Sequence, residues 1–247
     1  MNWPNNPEWS ALKKKTVSTS DGDYVLSLID CGVLKVPSGK LVCCDPFAAM
    51  RKSKNSYIQI PAGKYKVVVT LADVSSEHDG SHYREAYASL ILNENADETI
   101  RRFFHPTDQG HSESKDLKDG HFIGFGVDAG TACFVDQESI EEGMPPEDVW
   151  YEGLFENEQE GCWFNLMDDE KNIRGGIANI VLPESKCENN LILFHSGWGD
   201  GVYPIIGGYD KSDNLVAVHI DFMVVSDADD ISEPEKMVVK KKWWKFW

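Results

Sequence analysis

No apolar run in the chain approaches the ~18 residues that a membrane span requires, and Met1-Asn2-Trp3-Pro4 lacks the cationic and apolar character of an export leader. The six cysteines, Cys31, Cys43, Cys44, Cys133, Cys162 and Cys187, include no C-x-x-C pair, and no histidines stand at zinc-finger spacing. These absences argue against a structural zinc site and lead to the expectation of a cytoplasmic protein with reduced thiols. Basic charge is scarce: 24 Lys and Arg stand against 41 Asp and Glu, a net charge of -17. Such a field repels phosphate backbones and anionic lipid, so nucleic-acid binding is not expected, whereas encounter with a basic protein or a cation is favoured. The absence of any repeat of fixed period argues against solenoids and propellers.

What the sequence does contain is enough apolar material, 41% with 11% aromatics, for one sizeable core. The organisation read from it is an extended N-terminal segment (1–19) with one or both of the Trp3 and Trp9 rings pinned on the body, a single β-rich domain (20–226), and an acidic then Lys/Trp-rich tail (227–247). In that tail Lys240, Lys241 and Lys242 precede Trp243, Trp244 and Trp247. Membrane contact, if any, is expected only there. The alternatives are a partner groove, or docking of the rings on the protein's own acidic surface.

The clearest strands are 191–194 and 215–222, apolar runs bounded by Asn, Asp and Gly. In the second, His219 and Asp221 share a parity opposite to Val218, Ile220 and Phe222, which predicts a wetter face. Segments 33–36 and 40–44 around Pro37-Ser38-Gly39 read as a β-hairpin, and 57–60 with 64–71 around Pro61-Ala62-Gly63 as a second one. Segment 83–93 reads as strand or helix, 107–120 as a loop, and 121–127, 131–135, 162–167 and 177–182 as strands. The last two flank an expected hairpin tip at 168–176. Asp136 is placed to cap a short helix through Glu142, and Pro145-Pro146 to open a second, through about Glu158. The sum is a mainly β domain of two packed antiparallel sheets, a two-layer β-sandwich, with one or two short helices.

Four segments, residues 39–46 (GKLVCCDP), 61–67 (PAGKYKV), 126–136 (GVDAGTACFVD) and 196–203 (SGWGDGVY), occur in this order. Together they resemble the bacterial domain of unknown function DUF4241, over most of residues 20–225. The resemblance implies no activity, cofactor or catalytic residue.

Asp45, Asp128, Asp136 and Asp200 all sit at strand ends or glycine-rich turns inside these segments. Converging, they can bind a hard cation or act as an acid and base pair; singly, each accepts amides of its own turn. Around Ser196 the glycine that a nucleophile elbow needs two positions earlier is missing, and no helix is expected after Gly201, which argues against a serine hydrolase and a phosphate cradle alike. Residues 168–172 look like a calcium loop, but Ile173 occupies the required glycine position. Cys133 reads as a small core residue. Trp198 and Tyr203 either stack on a ligand or partner or cover the glycines beside them. The expectation for function is a binding protein without turnover, an inhibitor or immunity partner of a basic protein. Its competitor is a metal-dependent hydrolase or ligand-binding protein that uses Asp128, Asp136 and Asp200, with Ser196 and Tyr203 as orienting groups.

Overall fold

Residues 131–136 are apolar on both parities, and both of their faces are covered. Ala132 and Phe134 point into one core and Cys133 and Val135 into another, so a strand at the middle of a layered structure reads as a continuous hydrophobic run instead of an alternating one. A computed structural model describes residues 4–5, 9–19, 22–113 and 121–225. Trp3 and the Lys/Trp-rich tail lie outside the described residues.

In chain order the strands are β1 (Thr16–Thr19), β2 (Gly22–Val36), β3 (Lys40–Cys44), β4 (Ile58–Gln59), β5 (Gly63–Asp73), β6 (Tyr83–Ile91), β7 (Ile100–Thr107), β8 (Gly110–Glu113), β9 (Gly124–Val127) and β10 (Thr131–Asp136). They are followed by helix α1 (Gln137–Gly143), a 3₁₀ turn at Glu147–Val149, a π turn at Tyr151–Phe155 and helix α2 (Trp163–Asp168). The chain then continues as β11 (Ile177–Val181), β12 (Asn190–His195), β13 (Gly201–Tyr209) and β14 (Leu215–Asp221).

The first sheet runs β1-β2-β5-β6-β14-β13-β7-β8, with β9 also on β13; the second runs β11-β12-β10-β3-β4. Every pairing is antiparallel. The two sheets pack as a sandwich around Leu34, Val69, Leu90, Ile205 and Ile220 from the first and Leu41, Phe134, Ile192 and Phe194 from the second. The far side of the second sheet is covered by the helical segment, through Ile140, Met144, Trp150, Phe155, Trp163 and Met167. Fully burying each such side chain contributes roughly 1.5–3 kcal/mol, which ties the helical cap firmly to the sheet.

Segment 83–91 is a strand. Neither expected hairpin forms. β2 and β3 lie in different sheets, as do β4 and β5, so Pro37-Ser38-Gly39 and Pro61-Ala62 carry the chain from one layer to the other. The turn signals mark a change of direction and leave the hydrogen-bonding partner open. Residues 128–130 and 196–200 make the same kind of crossing, between β9 and β10 and between β12 and β13. The segment 162–167 is helix, not strand: its buried residues Trp163 and Met167 are four apart, the spacing of one helical face. Residues 168–176 accordingly join a helix to β11. The expected loop 107–120 includes strand β8, which pairs with β7. Of the expected helix from Pro145 to about Glu158, a 3₁₀ turn and a π turn form, ending at Phe155. Asp136 caps α1 as anticipated, accepting from the Ser139 amide.

The polar parity of β14 is not wet. His219 and Asp221 are buried because residues 9–12 lie over that outer face of the sheet. The Trp9 ring sits 4.9 Å from Tyr87 and 5.5 Å from His219, and the Leu12 amide donates to Thr70 Oγ1. Beneath it His219 is bonded on both sides, Nδ1 to Ser89 Oγ and Nε2 to Glu98 Oε2, each at 2.8 Å. Burial alone would raise the Glu98 carboxyl, but His219 and Arg101 more than offset it and hold it below its ordinary value.

Gly39 has φ +74°, and a Cβ there would meet the Ile60 carbonyl oxygen at 2.5 Å. Gly161 has φ +94° with open space around it. Left-handed strain alone costs about 1–2 kcal/mol, so Gly161→Ala should lose that much in a denaturant titration. Gly39→Ala should lose about 3 kcal/mol or more, because the steric conflict is with backbone. Equal losses would show that the crossing is not tightly shaped.

Candidate functional site

Asp45 follows the last residue of β3 and is fully buried. Its Oδ1 accepts from the amides of Phe47 and Ala48 at 2.9 and 3.1 Å, and its Oδ2 from those of Asp128 and Ala129 at 2.9 and 2.7 Å. Four amides thus use the carboxylate, two from its own turn and two from the β9–β10 crossing. Asp136, at the other end of β10, is used in the same way: Ser139 donates through N and Oγ to Oδ1, and Ser38 through N and Oγ to Oδ2. Asp200 is exposed and accepts from the Gly130 amide at 3.0 Å, joining the β12–β13 crossing to the β9–β10 crossing. Asp128 is exposed. Asp45, Asp136 and Asp200 therefore brace crossings, and among the described residues no three His, Cys, Asp or Glu side chains are grouped to hold a metal.

Ser196 and Tyr203 are internal struts of the same loop. Ser196 Oγ donates to the Gly199 carbonyl at 2.7 Å, and the buried Tyr203 hydroxyl lies 2.8 and 2.6 Å from the carbonyls of Ser196 and Gly199. Gly197, at φ +60°, is pressed against β6 and the residues that follow β14: a Cβ there would be 2.8 Å from Val224 and 3.1 Å from the Glu85 carbonyl. The rigid loop holds Trp198 outward, 58% exposed, with the Arg84 guanidinium 5.2 Å from its ring and His82 at its edge. Of the two aromatics, Tyr203 is packing and Trp198 is available.

Trp198 forms one wall of an open cleft of about 320 Å³, which Arg84, His195, Phe164, Met167 and Asp168 also line. The inner side of the His195 ring packs on Gly176, where a Cβ would lie 2.5 Å from Nδ1. Burial pushes the imidazole below its ordinary value, and the nearby Arg84 and Arg174 charges push the same way against Asp168. Next to Arg84, the buried Glu85 carboxyl is pushed up to about 7 by burial, a shift its own amide and the Arg174 and Arg84 charges only partly offset. The Cys133 thiol is likewise raised by burial and lies 3.8 Å from Cys44 Sγ inside the core.

The second exposed feature is the helical cap. From residue 136 to residue 170 the sequence holds thirteen Asp and Glu and no Lys or Arg, and every one of those acids except Asp136 is exposed. Among the described residues only Glu138 of this set lies within ion-pair distance of a Lys or Arg, Lys40 at 2.8 Å. Tyr151 and Val149 stand exposed among them, at 59% and 44%.

The family profile described as "Protein of unknown function (DUF4241)" matches residues 34–220, well over half of the chain. The chain belongs to the DUF4241 family. No curated protein and no solved structure matches it. The four DUF4241 segments noted in the sequence coincide with the four crossings between the sheets, together with the strands that enter or leave them. Within this DUF4241 chain, Arg84, Arg174 and His195 were not singled out from sequence. Arg84 and Arg174 lie outside those segments; Arg84 reaches the cleft only through the pairing of β6, and Arg174 comes near His195 only through the return from α2, which no local pattern reports.

Replacing Asp45 by Ala would leave four amides without an acceptor and should cost about 3–4 kcal/mol in denaturant unfolding. Asp128→Ala, at an exposed site, should stay within about 0.5 kcal/mol. The reverse order would reject the bracing role.

Glu85 gives a pH test. Its folded carboxyl titrates near 7 against an ordinary 4.5, so the folded state holds the extra proton between those values, and stability falls as pH rises through about 7. Glu85→Gln should be more stable than the parent at about pH 8, by up to about 3 kcal/mol, with the gap closing toward about pH 5. A gap independent of pH would contradict the raised titration.

Proposed function

We propose that this DUF4241 chain is a non-catalytic binding protein that docks a basic protein partner on its acidic helical cap, as an inhibitor or immunity protein does. The observation that carries the reading is the run of exposed acids at 137–170 surrounding Tyr151 and Val149, of which, among the described residues, Glu138 alone has a Lys or Arg within ion-pair distance. An acidic field steers a cationic partner and disfavours others, and an exposed aromatic supplies the anchor that such interfaces use. Because the cap is fixed to the second sheet by Trp163, Phe155 and Met144, little ordering is lost on docking. The reading includes a bacterial, cytoplasmic setting. No described helix is long and apolar enough to cross a membrane.

A metal-dependent hydrolase draws less support, since Asp136 is bonded to Ser38 and Ser139 and the hydroxyls of Ser196 and Tyr203 are held by loop carbonyls.

The experiment is affinity capture from the native host, followed by calorimetry with the purified partner. A basic protein should be retained at low salt and weakened as salt rises. Neutralising Glu147, Asp148, Glu152 and Glu156 together to Gln or Asn should weaken binding by at least about tenfold. Neutralising Glu77, Glu94, Asp97 and Asp108, elsewhere on the surface, should change it much less. No basic partner, or equal losses from both sets, rejects the cap as the docking face.

A further inference from the structure

Arg101 pairs with Glu98, Arg102 pairs with Asp213, and Arg51 donates to the carbonyls of Met50 and Ala48. Arg84 and Arg174 have no ion-pair partner among the described residues and instead lie over the rings of Trp198 and Tyr83, at 5.2 and 4.9 Å. Arg84 Nε is buried and has no hydrogen-bond partner among the described residues. A desolvated donor of a cation without an acceptor is costly, and the residue that carries it lines the cleft that Trp198 walls.

We propose that this cleft, which borders the acidic cap at α2, binds a small planar ligand carrying an oxyanion. Arg84 takes the oxyanion, with the charge of Arg174 behind it, and Trp198 stacks on the ring of the ligand. Phe164 and Met167 supply the apolar contact that desolvates the ring, and about 320 Å³ lies at the small end of ligand sites. Guanidinium groups match both carboxylate and phosphate geometry, so the shared chemistry is an oxyanion on a flat ring. Asp168, on the lining with them, disfavours a second anionic group. The indole is pre-positioned, because Gly197 and the Tyr203 and Ser196 bonds fix the loop that carries it.

Calorimetric titration of the full chain with phenylacetate and phenyl phosphate separates the two sources of oxyanion. Phenylacetamide and inorganic phosphate test the charge and the ring alone. At least one ring-bearing anion should bind with one-to-one stoichiometry, and the amide and free phosphate at least about tenfold more weakly. Arg84→Gln and Trp198→Ala should each weaken that binding by about tenfold or more. Trp198 is exposed, so its variant should keep the parent circular dichroism and melting temperature, which separates loss of a contact from loss of the fold. Saturation by neither ring-bearing anion, equal affinity for the amide, or binding unchanged in both variants would overturn the proposal.

Discussion

A single buried carboxylate, that of Asp45, holds four backbone amides from two separate turns. Burying an ionised group is costly unless its oxygens are fully used, and here each oxygen accepts two N–H bonds. An amide side chain could not replace it, because it presents only one acceptor oxygen. Asp136, at the end of β10 away from the amides that Asp45 holds, repeats the device with Ser38 and Ser139. The two carboxylates therefore bracket β10, the strand buried on both faces, and lock the places where the chain passes between layers. Without them the crossings would expose or strand polar backbone at both edges of the core.

This bracing explains why the most distinctive segments of the chain carry little chemistry of their own. Their glycines shape the turns, and their aspartates and hydroxyls satisfy backbone groups. What remains free is what the braced scaffold presents: Trp198 on a loop fixed by Tyr203 and Ser196, Arg84 without a carboxylate, and a helical cap whose inner face is tryptophan, methionine and phenylalanine and whose outer face is rich in acid. Rigid support lets exposed groups meet a partner without first being ordered. The cap and the cleft meet at α2, whose buried Met167 belongs to the core under the cap and also lines the cleft.

Much of the architecture was legible from local pattern. The apolar runs at 191–194 and 215–222, the cap at Asp136 and the mainly β composition each rest on the chemistry of a few neighbouring residues. Where local pattern misled, a distant part of the chain was the cause. Trp163 and Met167 belong to a helix because the second sheet offers a face to cover. His219 and Asp221 are dry because Trp9, more than two hundred residues earlier, lies over them.

The sequence by itself determined the β-rich character, the turn positions, the acidity of the surface and the membership of a family, since composition, periodicity and motif order are properties of the chain alone. Only the tertiary structure decided which strands share a sheet, that Asp45, Asp136 and Asp200 brace separate crossings, and that Arg84, His195 and Trp198 face a common cleft. A turn sets the direction of the chain through its own few torsions. The sheet a strand joins depends on hydrogen bonds and buried faces contributed by residues far away in sequence, and that information appears only when all of them pack at once.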